Sequence, residues 1–201
     1  MRRSIPALVE GFYAELGARP GMRWGDKFPH YADGKSDPDC LDLIEASFPD
    51  GQYLNIIRDG REVVSSIVDK DFAPLDEALD VWRRHVQHAA AFATKAPKER
   101  FLDVRYEELV TDGEAVVRRI LAFLDVPADP TVLAFVRQQA RARTPFSKTQ
   151  RDDAAIGQPL WRSRLGDDAD RVETELSDLL RELGYLPTPG TPATTPRGTP
   201  G

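Results

Sequence analysis

A single cysteine, Cys40, serves the whole chain of 201 residues. With no second thiol to pair with it, an internal disulfide framework and a metal cluster built on several thiolates are both excluded. Such cysteine usage fits a reducing compartment. Long apolar runs are missing as well. No stretch approaches the roughly 18 apolar residues that a bilayer-spanning helix needs, so no membrane is expected as a partner. The start, Met1-Arg2-Arg3-Ser4-Ile5-Pro6, is basic, but no apolar run follows it, which argues against a signal peptide. A cytoplasmic location is expected. Positive charge is in short supply: Lys and Arg total 27 against 33 Asp and Glu, a net charge of −6. A generally acidic chain suits nucleic acid poorly, because phosphate backbones demand a basic face. It can still hold one anion in a local basic pocket. The three histidines, His30, His85 and His88, have no metal-ligand spacing with one another or with Cys40, so no metal is assigned.

What the chain does contain fits a soluble globular domain: 41% hydrophobic and 30% charged residues. The last fifteen residues, 187–201, read PTPGTPATTPRGTPG. They have nothing to bury and cannot offset their ordering entropy, so a disordered tail is expected there after a folded domain over 1–186. Within the domain, short β-prone runs alternate with helical patterns. Gln52 to Ile57 follows the turn Phe48-Pro49-Asp50-Gly51 and reads as a strand, and Phe101 to Val104 reads as a second. Met22 to Trp24, between Gly21 and Gly25, is a candidate third. Apolar residues recur at helical spacing at Leu41, Ile44 and Phe48; at Leu75, Leu79, Trp82 and Val86; and at Val116, Ile120 and Phe123, with Asp112 placed as an N-cap. Val132, Leu133, Phe135 and Val136 suggest another helix, and Val172, Leu176, Leu180 and Leu183 a last one that Gly184 stops. Strands alternating with helices indicate an α/β domain with a mainly parallel sheet flanked by helices.

The informative stretch is IIRDGREVVSSIVDK, residues 56–70. A strand ends at Arg58, an Asp-Gly turn follows, and a helix begins near Arg61. Ligands of open parallel sheets bind beyond the carboxyl ends of strands, which is where Arg58 falls. Ser66 and Lys70 are four residues apart and share a helix face. A guanidinium fork, a hydroxyl and an ammonium converging on one point suit a phosphate. On spacing alone, the same residues also fit a charged turn followed by a surface helix, with Ser66 as filler.

This stretch resembles the 3′-phosphate-binding segment of sulfotransferases that use 3′-phosphoadenosine-5′-phosphosulfate. That family places an Arg at the end of a strand and a Ser eight residues later, and its protein-tyrosine branch adds a basic residue four beyond the Ser. Arg58, Ser66 and Lys70 match in order. Arg23-Trp24-Gly25-Asp26-Lys27-Phe28-Pro29-His30 resembles a Trp-Gly-Asp-Lys-Thr-Pro segment of bacterial members, with Phe28 in place of the Thr. Val104-Arg105-Tyr106-Glu107-Glu108-Leu109 resembles the family's Tyr-Glu-x-Leu segment, and Trp161-Arg162 with Leu165 resembles its C-terminal part. Ser147-Lys148-Thr149-Gln150-Arg151 is similar to the segment that closes over the nucleotide in the protein-tyrosine branch.

The resemblance implies a P-loop-NTPase-like sulfotransferase fold and transfer of a sulfuryl group from that nucleotide donor to a hydroxyl or amine acceptor. It implies that Lys27 supports charge on the transferring group. It also implies nucleotide contacts for Arg58, Ser66 and Lys70, and for Tyr106, which could instead pack on the core. Lys148, Arg151 and Arg162 are candidates for phosphate contacts or solvated surface charges. Trp82 is expected in the core. The acceptor is not readable.

One family element has no counterpart among these residues: the 5′-phosphosulfate loop, a strand followed by a loop like Arg-Ser-Gly-Thr-Thr that opens a helix and holds the anion on backbone amides. Three readings follow: the later part of a longer, N-terminally truncated sulfotransferase, which is the expectation; a catalytically inactive nucleotide-binding remnant or interaction module; or a chain completed by a partner. A missing strand would leave an exposed sheet edge for a homo-oligomer or a complementing chain to cover.

Overall fold

In the computed structural model, the described residues are 4–17, 19, 22–27, 30–35, 39–139 and 159–187. Along the chain they form α1 (Ile5–Glu15), α2 (Cys40–Ser47), β1 (Tyr53–Ile57), α3 (Gly60–Asp69), α4 (Leu75–Lys95), β2 (Phe101–Arg105), α5 (Tyr106–Thr111), α6 (Gly113–Phe123), α7 (Pro130–Gln139), α8 (Trp161–Leu165) and α9 (Ala169–Glu182). They fall into two structural units. The first comprises Met1–Ile57 and Arg84–Gln150, the second Arg58–Arg83 and Arg151–Gly201. The expected tail lies outside the described residues from 188 onward.

The first unit is organised around a parallel pair of strands. β1 and β2 run in register from Tyr53↔Phe101 to Ile57↔Arg105. Asn55 and its partner Asp103 add a side-chain hydrogen bond of 2.8 Å on one face. Parallel strands need a long crossover between them, and here the intervening chain is helical, as the alternating pattern predicts. Val104 is fully buried, and Leu41, Phe92 and Ala96 form a core cluster against which Tyr31, Ala32, Tyr53 and Phe101 pack. Tyr53 and Phe92 meet edge to face with ring centroids 4.8 Å apart. α6 packs on α5, α7 and β2. Asp112 caps α6, accepting from the Ala115 N–H, as its type and position predict. On β1, Leu54 and Ile56 are exposed.

Two features of this unit depart from the sequence expectations. Residues 5–15 form a helix that apolar spacing alone did not suggest. Ser4 caps it, Pro6 sits in its first turn, and none of its residues is buried. Met22–Trp24 is not a strand. Instead, the Met22 N–H donates to the Arg19 carbonyl at 2.9 Å, Trp24 stacks on Tyr13 at 4.3 Å and meets Phe48 edge-on at 5.5 Å, and the neighbouring Gly25 carbonyl accepts from the Tyr13 hydroxyl at 3.2 Å. A tripeptide committed in this way to an aromatic stack has no ladder partner among the described residues.

An ion pair fastens this unit. Arg100, just before β2, pairs with Glu45 of α2 and donates to the Gly51 carbonyl at 3.1 Å. The Tyr53 hydroxyl donates to the same carboxylate at 2.8 Å. The hydrogen bond from Arg100 holds the Glu45 carboxyl below its ordinary value, against burial. A depressed carboxyl stabilises the fold fully above the unfolded pKa of about 4.3, and that contribution disappears as pH falls through the lower folded value. Denaturant unfolding is therefore expected to show stability declining below about pH 4.3, with Glu45→Gln flattening the decline. An unchanged slope in the variant would rule out this pair as a source of acid sensitivity.

In the second unit, α3 packs against α8 and α9. Its buried residues include Val64 and Ser65 of α3, Ala78, Leu79 and Trp82 of α4, Trp161 and Leu165 of α8, and Val172, Leu176 and Leu180 of α9. The α9 residues follow the spacing that marks one apolar helix face. Gly184, at φ +74°, ends that helix, and the Tyr185 N–H donates back to the Leu180 carbonyl at 2.7 Å. Trp82 is in the core, as expected.

Candidate active site

The second unit carries the basic segment that follows β1. Arg58 is the first residue beyond Ile57. Asp59 is the N-cap of α3 and accepts from the Arg61 N–H at 2.9 Å. The Asp-Gly pair is therefore the beginning of the helix rather than a separate turn, one residue earlier than its spacing suggests. Gly60 is required there by close approach: a Cβ at this position would lie 2.7 Å from a ring carbon of Trp82. Replacing Asp59 with Ala removes the cap and one partner of Arg61. It is expected to cost about 1–2 kcal/mol in denaturant unfolding, with Asp59→Asn costing much less. Equal losses in the two variants would mean that the cap is not what matters.

Arg58 is one-third exposed, and its Nη2 donates to Glu62 Oε2 at 3.1 Å. Ser66 lies two turns further along α3 and is half-buried; Lys70 is the C-cap residue and is exposed. Residues 62, 66 and 70 recur at the four-residue interval that aligns side chains along a helix. Next to them stands an arginine-rich network. Arg61 pairs with Asp59 and Glu173 and lies 4.8 Å above the Trp161 ring. Burial by itself would lower the Arg61 pKa, but these two carboxylates outweigh it and the guanidinium is held above its ordinary value. Arg162 stacks on Trp161 at 4.3 Å and pairs with Asp170 at 2.8 Å and Glu173 at 3.2 Å. Arg164 stands 3.7 Å from Glu62 and 3.8 Å from Asp69. Glu62, Arg61 and Arg164 were not apparent from sequence spacing. Glu173, which pairs with Arg61, and Glu62 and Asp69, which stand beside Arg164, lie far from these arginines along the chain.

The first unit carries the other two described candidates. Lys27 is exposed, and its backbone N–H donates to Asp26 Oδ1 at 2.8 Å. The other Asp26 oxygen accepts from the Tyr31 hydroxyl, and this hydrogen bond is the main reason the Tyr31 phenol is pushed up to about 12. Asp26 thus accepts from both the Lys27 backbone and the Tyr31 hydroxyl. Tyr106 opens α5 directly after β2 and is partly exposed. Phe28, Lys148 and Arg151 lie outside the described residues.

This order of parts has a counterpart in known proteins. Residues 5–130, more than half of the chain, match the family described as the sulfotransferase family. The chain belongs to that family. Protein-tyrosine sulfotransferase A of Caenorhabditis elegans is 28% identical over 185 residues, covering 84% of this chain and 48% of that protein. The protein-tyrosine sulfotransferase of Drosophila melanogaster is 28% identical over 157 residues, covering 70% of this chain and 31% of that one. The chain therefore spans about half or less of the length of these curated relatives. Two solved structures share its fold. The sulfotransferase domain from the curacin biosynthetic pathway gives a TM-score of 0.56 at 22% identity, covering 85% of this chain and 67% of that one. The sulfotransferase domain from the Synechococcus PCC 7002 olefin synthase gives 0.58 at 20% identity, covering 84% and 64%. The α/β fold read from the sequence is therefore the sulfotransferase fold. Among the described residues, no helix is long and apolar enough to cross a membrane, and no group of His, Cys, Asp and Glu could hold a metal ion.

Proposed function

We propose that this sulfotransferase-family chain carries the 3′-phosphate half of a 3′-phosphoadenosine-5′-phosphosulfate site and serves sulfuryl transfer to a hydroxyl or amine acceptor. The observation that carries the proposal is the segment Arg58–Lys70. In it, an arginine immediately beyond a parallel strand leads into a capped helix whose Ser66 and Lys70 follow at aligned positions. Arg58 supplies a fork of donors, Ser66 a neutral hydroxyl and Lys70 a point charge, which together suit a dianionic phosphate. Tyr106 is assigned to the nucleotide, and Lys148, Arg151 and Arg162 to outer phosphate contacts. The Asp170 and Glu173 pairings of Arg162 argue for a smaller part than that of Arg58.

Sulfuryl transfer proceeds in line, with charge growing on the bridging and equatorial oxygens, so the protein contributes mainly positioning and electrostatic stabilisation. Lys27 is assigned to that charge: an ammonium on a flexible stem can follow it from the sulfuryl group to the leaving phosphate. The hydrogen bond from the Lys27 N–H to Asp26 supports this role, because it anchors the base of an exposed lysine stem.

The test is calorimetry of the chain with 3′-phosphoadenosine-5′-phosphate and with adenosine-5′-phosphate, which lacks the 3′ group. The former is expected to bind at least about tenfold more tightly, the effect of one or more charge-assisted contacts to the extra phosphate. Equal affinities would contradict a 3′-phosphate site. A second reading, nucleotide binding without transfer, suits the 201 residues taken alone, since they hold the 3′ elements and no loop like Arg-Ser-Gly-Thr-Thr. Absence of turnover with labelled donor, alongside retained 3′-phosphate preference, would select it. The exposure of Leu54 and Ile56 on β1 supports a complementing chain or second copy at the sheet. The single thiol supports a cytoplasmic setting.

A further inference from the structure

Glu62 is a carboxylate in the interior, only 7% exposed, at the third helical position of α3. A carboxylate taken out of water must be paired and hydrogen-bonded on both oxygens, and this one divides its oxygens between two tasks. Oε1 accepts from the backbone N–H groups of Leu160 at 2.5 Å and Trp161 at 2.9 Å. Those are the first amides of the short helix α8, which have no partner within their own helix. Oε2 accepts from Arg58 Nη2 at 3.1 Å, with Arg164 Nη1 3.7 Å away. One side chain thus caps the start of α8 and grips the guanidinium beyond β1.

We propose that Glu62 is a positioning residue for the 3′-phosphate, coupling the orientation of Arg58 to the docking of the Leu160–Trp161 turn. The proposal rests on the reading of Arg58 as a phosphate ligand. Its physical basis is preorganisation. A free arginine has several rotatable bonds to immobilise when it meets an anion, and an arginine already held through one Nη has fewer left to fix. The negative charge so close to an anion site is offset locally by Arg164, whose guanidinium stands between Glu62 and Asp69. Coupling of this kind is reciprocal: if the turn at 160–161 helps to aim Arg58, phosphate on Arg58 steadies the turn.

Glu62→Gln separates the two tasks. The amide oxygen still accepts from Leu160 and Trp161, while the amide nitrogen turns a donor toward the donor of Arg58. In the full chain, Glu62→Gln is expected to weaken 3′-phosphoadenosine-5′-phosphate about tenfold by calorimetry, to leave adenosine-5′-phosphate unchanged, and to add nothing further in an Arg58→Ala background. Hydrogen exchange at Leu160 and Trp161 is expected to stay slow in Glu62→Gln. The wild type needs no variant for a second check: saturation with 3′-phosphoadenosine-5′-phosphate is expected to slow exchange of these two amides, and adenosine-5′-phosphate is expected not to. The proposal is overturned if Glu62→Gln weakens both nucleotides alike, if its loss persists undiminished beside Arg58→Ala, or if the bound 3′-phosphate leaves exchange at 160–161 unchanged. An Arg58→Ala variant that keeps the wild-type preference for the 3′-phosphate would instead overturn the site reading itself.

Discussion

Gly60→Ala is expected to lower the stability of the fold by about 2–3 kcal/mol, the cost of forcing extra volume into a packed site. For a chain of this size that corresponds to roughly 5–10 °C in the thermal midpoint. The reason is specific. The added methyl would lie within 2.8 Å of several ring carbons of Trp82, a side chain only 5% exposed and rigid in its plane. A flexible neighbour could rotate away, whereas an indole locked in a core cannot. The helix start would have to shift, and Arg58 and Asp59 would shift with it. The partner is testable. In a Trp82→Leu background, already destabilised by its own cavity, the added cost of Gly60→Ala is expected to fall below about 1 kcal/mol, because the ring that resists is gone. Strictly additive losses would show that the strain lies elsewhere.

Arg58→Ala is expected to weaken 3′-phosphoadenosine-5′-phosphate by about 2–3 kcal/mol, roughly 30- to 150-fold, the usual worth of charge-assisted hydrogen bonds to a phosphate. Adenosine-5′-phosphate should be nearly indifferent to the substitution, so the ratio of the two affinities is the quantity to read. Arg58→Lys keeps the charge and loses the fork, and its effect should fall between those of wild type and Ala. The loss carries a stability component as well, since Glu62 is left without one of its cationic neighbours while keeping Arg164 at 3.7 Å. Thermal unfolding of the variant without nucleotide separates that component from binding. A variant that loses stability but keeps its nucleotide ratio would assign Arg58 to the fold alone.

The parts of this protein that read correctly from sequence are local. β1 and β2 are short β-prone runs bounded by turns, and the caps at Asp112 and Gly184 act within one turn of their own position. The spacing of Arg58, Ser66 and Lys70 is local as well: Arg58 directly precedes the N-cap of α3, Ser66 lies within that helix and Lys70 is its C-cap. What was missed depends on partners far along the chain. Met22–Trp24 has the composition of a strand, yet its place is decided by Tyr13 and Phe48. Helix α1 has a cap and an early proline, but it buries nothing, so the apolar periodicity that betrays most helices carried little meaning. Glu62 reads as an ordinary acidic residue in a first helical turn. Its significance comes from two amides 98 and 99 residues later. The partners of Arg162 are likewise not visible in its motif: it lies against the Trp161 indole face and pairs with Asp170 and Glu173.

The central claim is that residues 58–70 form a 3′-phosphate site. The most direct measurement is a titration of the isotope-labelled chain with 3′-phosphoadenosine-5′-phosphate followed by backbone amide resonances. Saturable shifts concentrated at Arg58, Gly60, Ser66 and Lys70, absent or much smaller with adenosine-5′-phosphate, are the predicted result. Saturable shifts that leave residues 58–70 unmoved, or identical shifts with both nucleotides, would contradict it.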